Sequence, residues 1–180
     1  MTSELRVDKI IPTSGVPTGG GGGIVQVITR APNSGSNNTF STSSTSLQHV
    51  SNMDTTITPI AANSKLLITA RVSSQNTHGS NTNGRHQVDL RRSIAGGSDS
   101  STLQQSFLGL FGYNSGNNDQ NNYMVHSFNL LDSPSYSLGQ SIVYKFYAAS
   151  DTSSNTLYMR MDSGNNVGPN TVITIMEISA

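Results

Sequence analysis

Apolar and polar positions alternate through most of this chain with the period of strands. Leu66, Ile68, Ala70 and Val72 fall on one face, against Lys65, Thr69 and Arg71 on the other, as in a half-buried antiparallel strand. Ile142, Tyr144, Phe146 and Ala148 repeat the pattern against Lys145 and Tyr147, and Leu157, Met159 and Met161 repeat it against Tyr158, Arg160 and Asp162. The same reading predicts strands over 24–30, 39–47, 55–60, 85–92, 103–111, 123–131 and 171–178. Turn-rich segments separate them at 32–38, 73–84, 95–101, 114–122, 133–139, 150–155 and 163–170. Short strands at this cadence, with no repeat of fixed period, predict an all-β fold: an antiparallel two-sheet jelly-roll sandwich, not a propeller, a solenoid or alternating βαβ units.

The last strand departs from simple alternation. Val172, Met176 and Ile178 share one face with Thr174, while Ile173 and Ile175 share the other with Glu177, so both faces are largely apolar. In a two-layer protein such a strand calls for a third layer, and a neighbouring subunit is the expected supplier; a cover of loops is the plainer alternative. Val172, Ile173, Ile175, Met176, Glu177 and Ile178 are therefore the expected subunit interface. A carboxylate there needs a partner, because an unpaired buried charge is costly, and Arg71 and Arg160 are the candidates.

Ahead of the first strand, Gly19, Gly20, Gly21, Gly22 and Gly23 form a run that no local interaction fixes, since glycine loses the most backbone freedom on ordering. The run reads as a flexible tether. It separates Leu5, Val7, Ile10 and Ile11, the expected docking residues of a short arm, from the rest. Residues 1–23 are accordingly read as a docking arm with its tether, and residues 24–180 as the β-sandwich body.

Composition supports the all-β reading and removes several partners. More than a third of the chain is Asn, Ser or Thr, with only two Glu and three Lys, so strong helix formers are scarce and turn and β-branched residues abundant. Ten basic residues balance ten acidic ones, and 11% of the chain is charged, which gives no case for nucleic acid or an anionic membrane surface. The densest basic spot, Arg85, Arg91 and Arg92 around Asp89, reads as a solvated strand face. No apolar run reaches the length of a membrane span, Met1 to Arg6 has no secretory apolar region, and the absence of cysteine excludes disulfides and thiolate metal sites.

Candidate chemistry is sparse. His49, His78, His86 and His126 show no ligand spacing among themselves, and His78 and His86, in or beside a polar segment, are expected to be solvated. The Asp residues and two Glu form no recognisable acid pair, so catalysis is not expected. Asn114 to Gln120 is rich in oxygen donors but lacks the alternation and closing Glu of a calcium loop, and the glycine run has no Gly-Lys-Ser/Thr sequel, so neither metal nor cofactor is expected. Tyr113, Asn117 and Tyr136, on expected loop tips, suit polar recognition of a glycan.

Several segments resemble small virion structural proteins of tailed phages of aquatic bacteria, the tail-fibre-like or capsid decoration proteins. The resemblance is carried by Ser3-Glu4-Leu5-Arg6-Val7-Asp8-Lys9-Ile10 with the glycine tract, and by Ile57-Thr58-Pro59 followed by Ser64-Lys65-Leu66-Leu67-Ile68. Leu131-Asp132-Ser133-Pro134 with Tyr144-Lys145, and Thr174-Ile175-Met176-Glu177-Ile178, carry it further. It implies an arm embedded in the virion and a β-domain outside it, often as a homotrimer, made in the host cytoplasm and displayed on the virion surface. The body is also similar to the tumour-necrosis-factor-like jelly roll, where a late strand lies near the threefold axis; strand count and the apolar last strand carry that likeness. Without any family, Pro59 ends a β segment for want of an N–H, and Asp132-Ser133-Pro134 is a turn whose Asp can bond backbone amides two residues on. The expected function is a non-enzymatic surface spike or decoration protein. A short tail fibre or adhesin recognising a host-surface glycan is the alternative, and a polysaccharide depolymerase is disfavoured for lack of an acid pair.

Overall fold

A computed structural model describes residues 23–31, 39–78, 85–109, 120–160 and 171–180. Within these described residues eleven strands follow one another: β1 (Ile24–Arg30), β2 (Thr39–Thr42), β3 (Gln48–His49), β4 (Thr55–Ile57), β5 (Lys65–His78), β6 (Arg85–Ile94), β7 (Gln104–Gly109), β8 (Gln120–Asp132), β9 (Ile142–Ser150), β10 (Asn155–Arg160) and β11 (Val172–Ile178). A 3-10 turn at Ser51–Met53 is the one helical element among the described residues.

The strands form two antiparallel sheets. In the first, β8 lies along one side of β5 over Leu66 to His78, and the other side of β5 is shared. There β11 pairs with Lys65 to Arg71 and β10 with Ser73 to His78, with β1 outside β11 and β2 outside β10. In the second, β9 is flanked by β6 on one side and by β4 and β3 on the other, and β7 closes the far edge. Reduced to the main strands, the orders are β1-β11-β5-β8 and β4-β9-β6-β7. Strands neighbouring in sequence repeatedly change sheet, and this interleaving makes the sandwich a jelly roll.

The inward positions are those the alternation predicts. Leu66, Ile68, Ala70 and Val72 of β5 meet Ile142, Tyr144, Phe146 and Ala148 of β9, with Leu157, Met159, Ile173, Ile175 and Phe128 completing the core. Phe128 packs edge-on against Phe146 with ring centroids 5.3 Å apart, a geometry that adds to area burial.

Two strands run further than their hydrophobic pattern. β5 continues through Ser73, Ser74 and Gln75 to His78, and β8 begins at Gln120, within segments read as turns from their polar composition. The ladder supplies the reason: thirteen residues of β5 pair in unbroken register with β8, so the backbone bonds are satisfied whatever the side chains are. The arm residues Leu5, Val7, Ile10 and Ile11 and the tether glycines Gly19 to Gly22 lie outside the described residues. Gly23 is described, and its carbonyl accepts a hydrogen bond from Ser179 N at 2.9 Å, extending the β1–β11 pairing by one step.

Candidate interaction surface

Glu177, expected at a subunit interface with Arg71 or Arg160, has partners of a different kind. Strand alternation turns it inward with Ile173 and Ile175, and all three are fully buried. Its carboxylate accepts from Ile60 N at 3.0 Å, Ala61 N at 2.9 Å and Ser64 Oγ at 2.8 Å. With its amide nitrogen facing the carboxylate, Gln26 adds a bond of 3.0 Å and another of 3.2 Å to Thr58 O. The turn after Pro59, closed through Asn63 at φ 58°, thus wraps its free N–H groups around the acid and joins the two sheets at this end. Ile173, Ile175 and Glu177 are internal, and the interface expectation survives only for the other face of β11.

That other face is open. Val27 of β1, Met176 of β11, Leu67 of β5 and Leu131 of β8 stand opposite one another in register, an apolar row across four strands. Val27 and Leu131 are each 52% exposed, and Ile24 beside them 59%, while Met176, Leu67 and Ile178 are half-buried. The next row is polar, with Thr29, Thr174, Thr69 and Asn129 in register and the Thr29 and Thr174 hydroxyls 3.2 Å apart. Beyond it Arg71 sits between Val172 and Ser127, over a shallow open groove on this face.

The outward face of the second sheet differs in kind. His49, Tyr147, Asp89 and Gln105 form a row across β3, β9, β6 and β7. Tyr147 lies between the His49 ring, stacked at 5.1 Å, and the Arg91 guanidinium, 4.6 Å from its centroid. Its hydroxyl donates to Asp99, which also takes a 2.7 Å bond from Lys145 Nζ. Partial burial, the hydrogen bond to Asp99 and that carboxylate's charge push the Tyr147 hydroxyl up to about 12. Burial works against ionisation of Asp99, but the bonds from Lys145 and Tyr147 and the lysine charge together hold its carboxyl below the usual range. Asp89, almost wholly buried, accepts from Gln87, Thr102 and Gln105 at 3.0, 2.6 and 2.9 Å.

The three arginines do not make one solvated face. Arg85 is exposed and Arg91 covers Tyr147, but Arg92 turns to the inner side, where Nη1 donates to both Asp132 oxygens at 2.5 and 2.6 Å. The Tyr144 hydroxyl donates to the same carboxylate at 2.7 Å, so Asp132 bonds across the sandwich and not to its own turn. Burial, with the charge of Asp132 and the bond to it, drives the Tyr144 hydroxyl far above its ordinary range. Two pairs of the short motifs are therefore structural joints: Ser64 with Glu177, and Asp132 with Tyr144.

Of the expected glycan contacts, Tyr113 and Asn117 lie outside the described residues. Tyr136 is half-buried against the core, its hydroxyl donating to Ala61 O at 2.7 Å and accepting from Ser64 N at 2.9 Å, which makes it a brace for the Glu177 turn. His86 is fully buried, not solvated, because alternation backwards from Leu90 and Val88 carries it inward. His126 is buried as well, while His49 is half-buried and bonds Asp54 at 2.7 Å. Among the described residues no group of three or more His, Cys, Asp or Glu is placed to hold a metal ion, and no helix is long and apolar enough to cross a membrane.

No family model and no curated protein sequence matches the chain. Among solved structures it is similar to Eiger TNF from S. frugiperda, at 12% identity and a TM-score of 0.37 over 67% of this chain and 62% of that one. It is also similar to a structure of infectious bursal disease virus, Gx strain, at 14% identity and a TM-score of 0.35 over 94% of this chain and 45% of that one. The chain thus spans less than two thirds of the length of either structure.

Proposed function

We propose that this protein is a non-enzymatic structural component of a phage virion, a surface spike or decoration protein that self-associates as a homotrimer and is held to the particle by residues 1–23. The observation that carries the reading is the apolar row Val27, Met176, Leu67 and Leu131 on the open face of β1-β11-β5-β8. Such a patch is what an assembly interface buries, and burial of apolar area is its main driving force. A non-catalytic role is supported by the buried carboxylates: Asp89, Asp132 and Glu177 are each engaged by several structural donors. Three arms on one body would raise the effective concentration of each further contact, so modest arm affinities would add into durable attachment.

Native mass measurement of the full chain tests the association. The wild type is expected as a trimer, and a Met176→Lys, Leu131→Glu double variant as a monomer with unchanged far-ultraviolet circular dichroism. A monomeric wild type at micromolar concentration would remove the reading. Deleting residues 1–18 is expected to abolish incorporation into particles while the body stays folded and associated.

The adhesin reading is favoured by one observation on the opposite face. Phe107 is 59% exposed, and register places it diagonally across Gln87 and Asp89 from the His49–Tyr147–Arg91 stack. Aromatic rings beside polar groups suit a sugar, and a silent glycan array for the assembled protein would sink that alternative.

A further inference from the structure

At the end of the sandwich away from Glu177 the space between the sheets is lined by polar groups. Ser74 and His126 face inward from β5 and β8, and His86, Ser106, Ser150 and Asn155 from β6, β7, β9 and β10. His126 links the sheets: its ring bonds Ser74 Oγ at 3.0 Å in its own sheet and Ser106 Oγ at 3.1 Å in the other. His86 stands opposite Ser150 in register, fully buried, with neither ring nitrogen hydrogen-bonded. A neutral His126 suits its place, one nitrogen donating and the other accepting. A charged His86 would have no acceptor for either proton, which makes its ionisation costly.

We infer that this end of the sandwich is an acid-responsive joint: proton uptake by His86 and His126 parts β5 and β8 from β6 and β7 there, while the apolar end stays closed. Charged groups near the pair are few among the described side chains. Asp151, in the turn after β9, favours the charged form of His86, and His86 disfavours charge on His126. Arg85, the neighbour of His86 on β6, is exposed on the opposite face, and among the described side chains the inward residues of β5, β7 and β10 are neutral. Burial, opposed by Asp151, holds His86 near 4, and burial together with His86 holds His126 near 4.

The test uses the full chain. A proton magnetic resonance titration of the histidine rings, assigned with the variants below, is expected to show His86 and His126 titrating near pH 4. Hydrogen exchange, corrected for intrinsic rates, is expected to show amides of Ser73–His78 and Gln120–Val125 losing at least tenfold more protection between pH 7 and pH 4.5 than those of Lys65–Val72. His86→Phe, which cannot titrate, should remove much of that difference, and His126→Gln, which can still bond both serines, part of it. If either variant fails to fold at pH 7, the wild-type titration and exchange pattern decide. Titration of both His86 and His126 near 6.5, or protection lost evenly along β5, would overturn the proposal.

Discussion

The two ends of the sandwich are made by the same long strands and filled in opposite ways. Near Lys65, β5 places Leu66 and Ile68 against Phe128, Tyr144 and Ile175; near His78 it places Ser74 beside His126, with His86 across the gap. The backbone ladder is continuous from one end to the other, so hydrogen bonding alone does not distinguish them. What differs is the apolar area each end removes from water, and with it the free energy of opening that end. Polar groups occur at both ends, but Glu177 is met by four donors, whereas neither nitrogen of His86 has a hydrogen-bond partner. A buried polar group therefore strengthens one end and weakens the other according to how completely it is satisfied.

Acid should widen the contrast most. Because both imidazoles bind a proton only near pH 4 when folded and near the ordinary 6.5 when unfolded, the unfolded chain takes up more protons between those values. Stability is complete above about pH 6.5 and falls as the pH drops towards 4, by about 3 kcal/mol for each imidazole, as urea melts across that range would record. At the apolar end, Phe128→Ala should cost about 3–5 kcal/mol at pH 7 through lost burial and the cavity left beside Phe146. Glu177→Ala should cost about 2–3 kcal/mol, because it strands the Ile60 and Ala61 N–H groups, and should speed exchange of those two amides. Ser74→Ala, at the histidine end, should cost only about 1 kcal/mol. A loss for Ser74→Ala as large as that for Phe128→Ala would erase the distinction between the ends.

Much of the fold is legible in the sequence wherever an apolar face marks the strand. Leu66 to Val72 and Ile142 to Ala148 read directly, inward residues included, and β1 runs over the predicted segment. The polar halves of β5 and β8 carry no such mark, since Ser73, Ser74 and Gln75 look like turn residues until a partner strand is laid beside them. His86 could have been found by continuing the alternation of Leu90 and Val88 one step back within the predicted strand, and the same count assigns Arg92 to the inner face. The partners of Glu177 could not. Backbone N–H groups carry no residue identity, so a turn that binds an acid through its main chain leaves almost no trace in composition. The candidate surface was legible only in half: β11 does have two apolar faces, but its outward row comes from β1, β5, β8 and β11 together and exists only once register is known.

The bond between Gly23 O and Ser179 N has a practical corollary for display. Because β1 and β11 are antiparallel neighbours, a peptide appended after Ala180 would emerge next to Gly23, where, under the proposed function, it would crowd the partner of residues 1–23. The β9–β10 turn, Asp151 to Ser154, sits at the opposite end of the sheets, so foreign epitopes grafted there would point away from Gly23 and Ala180.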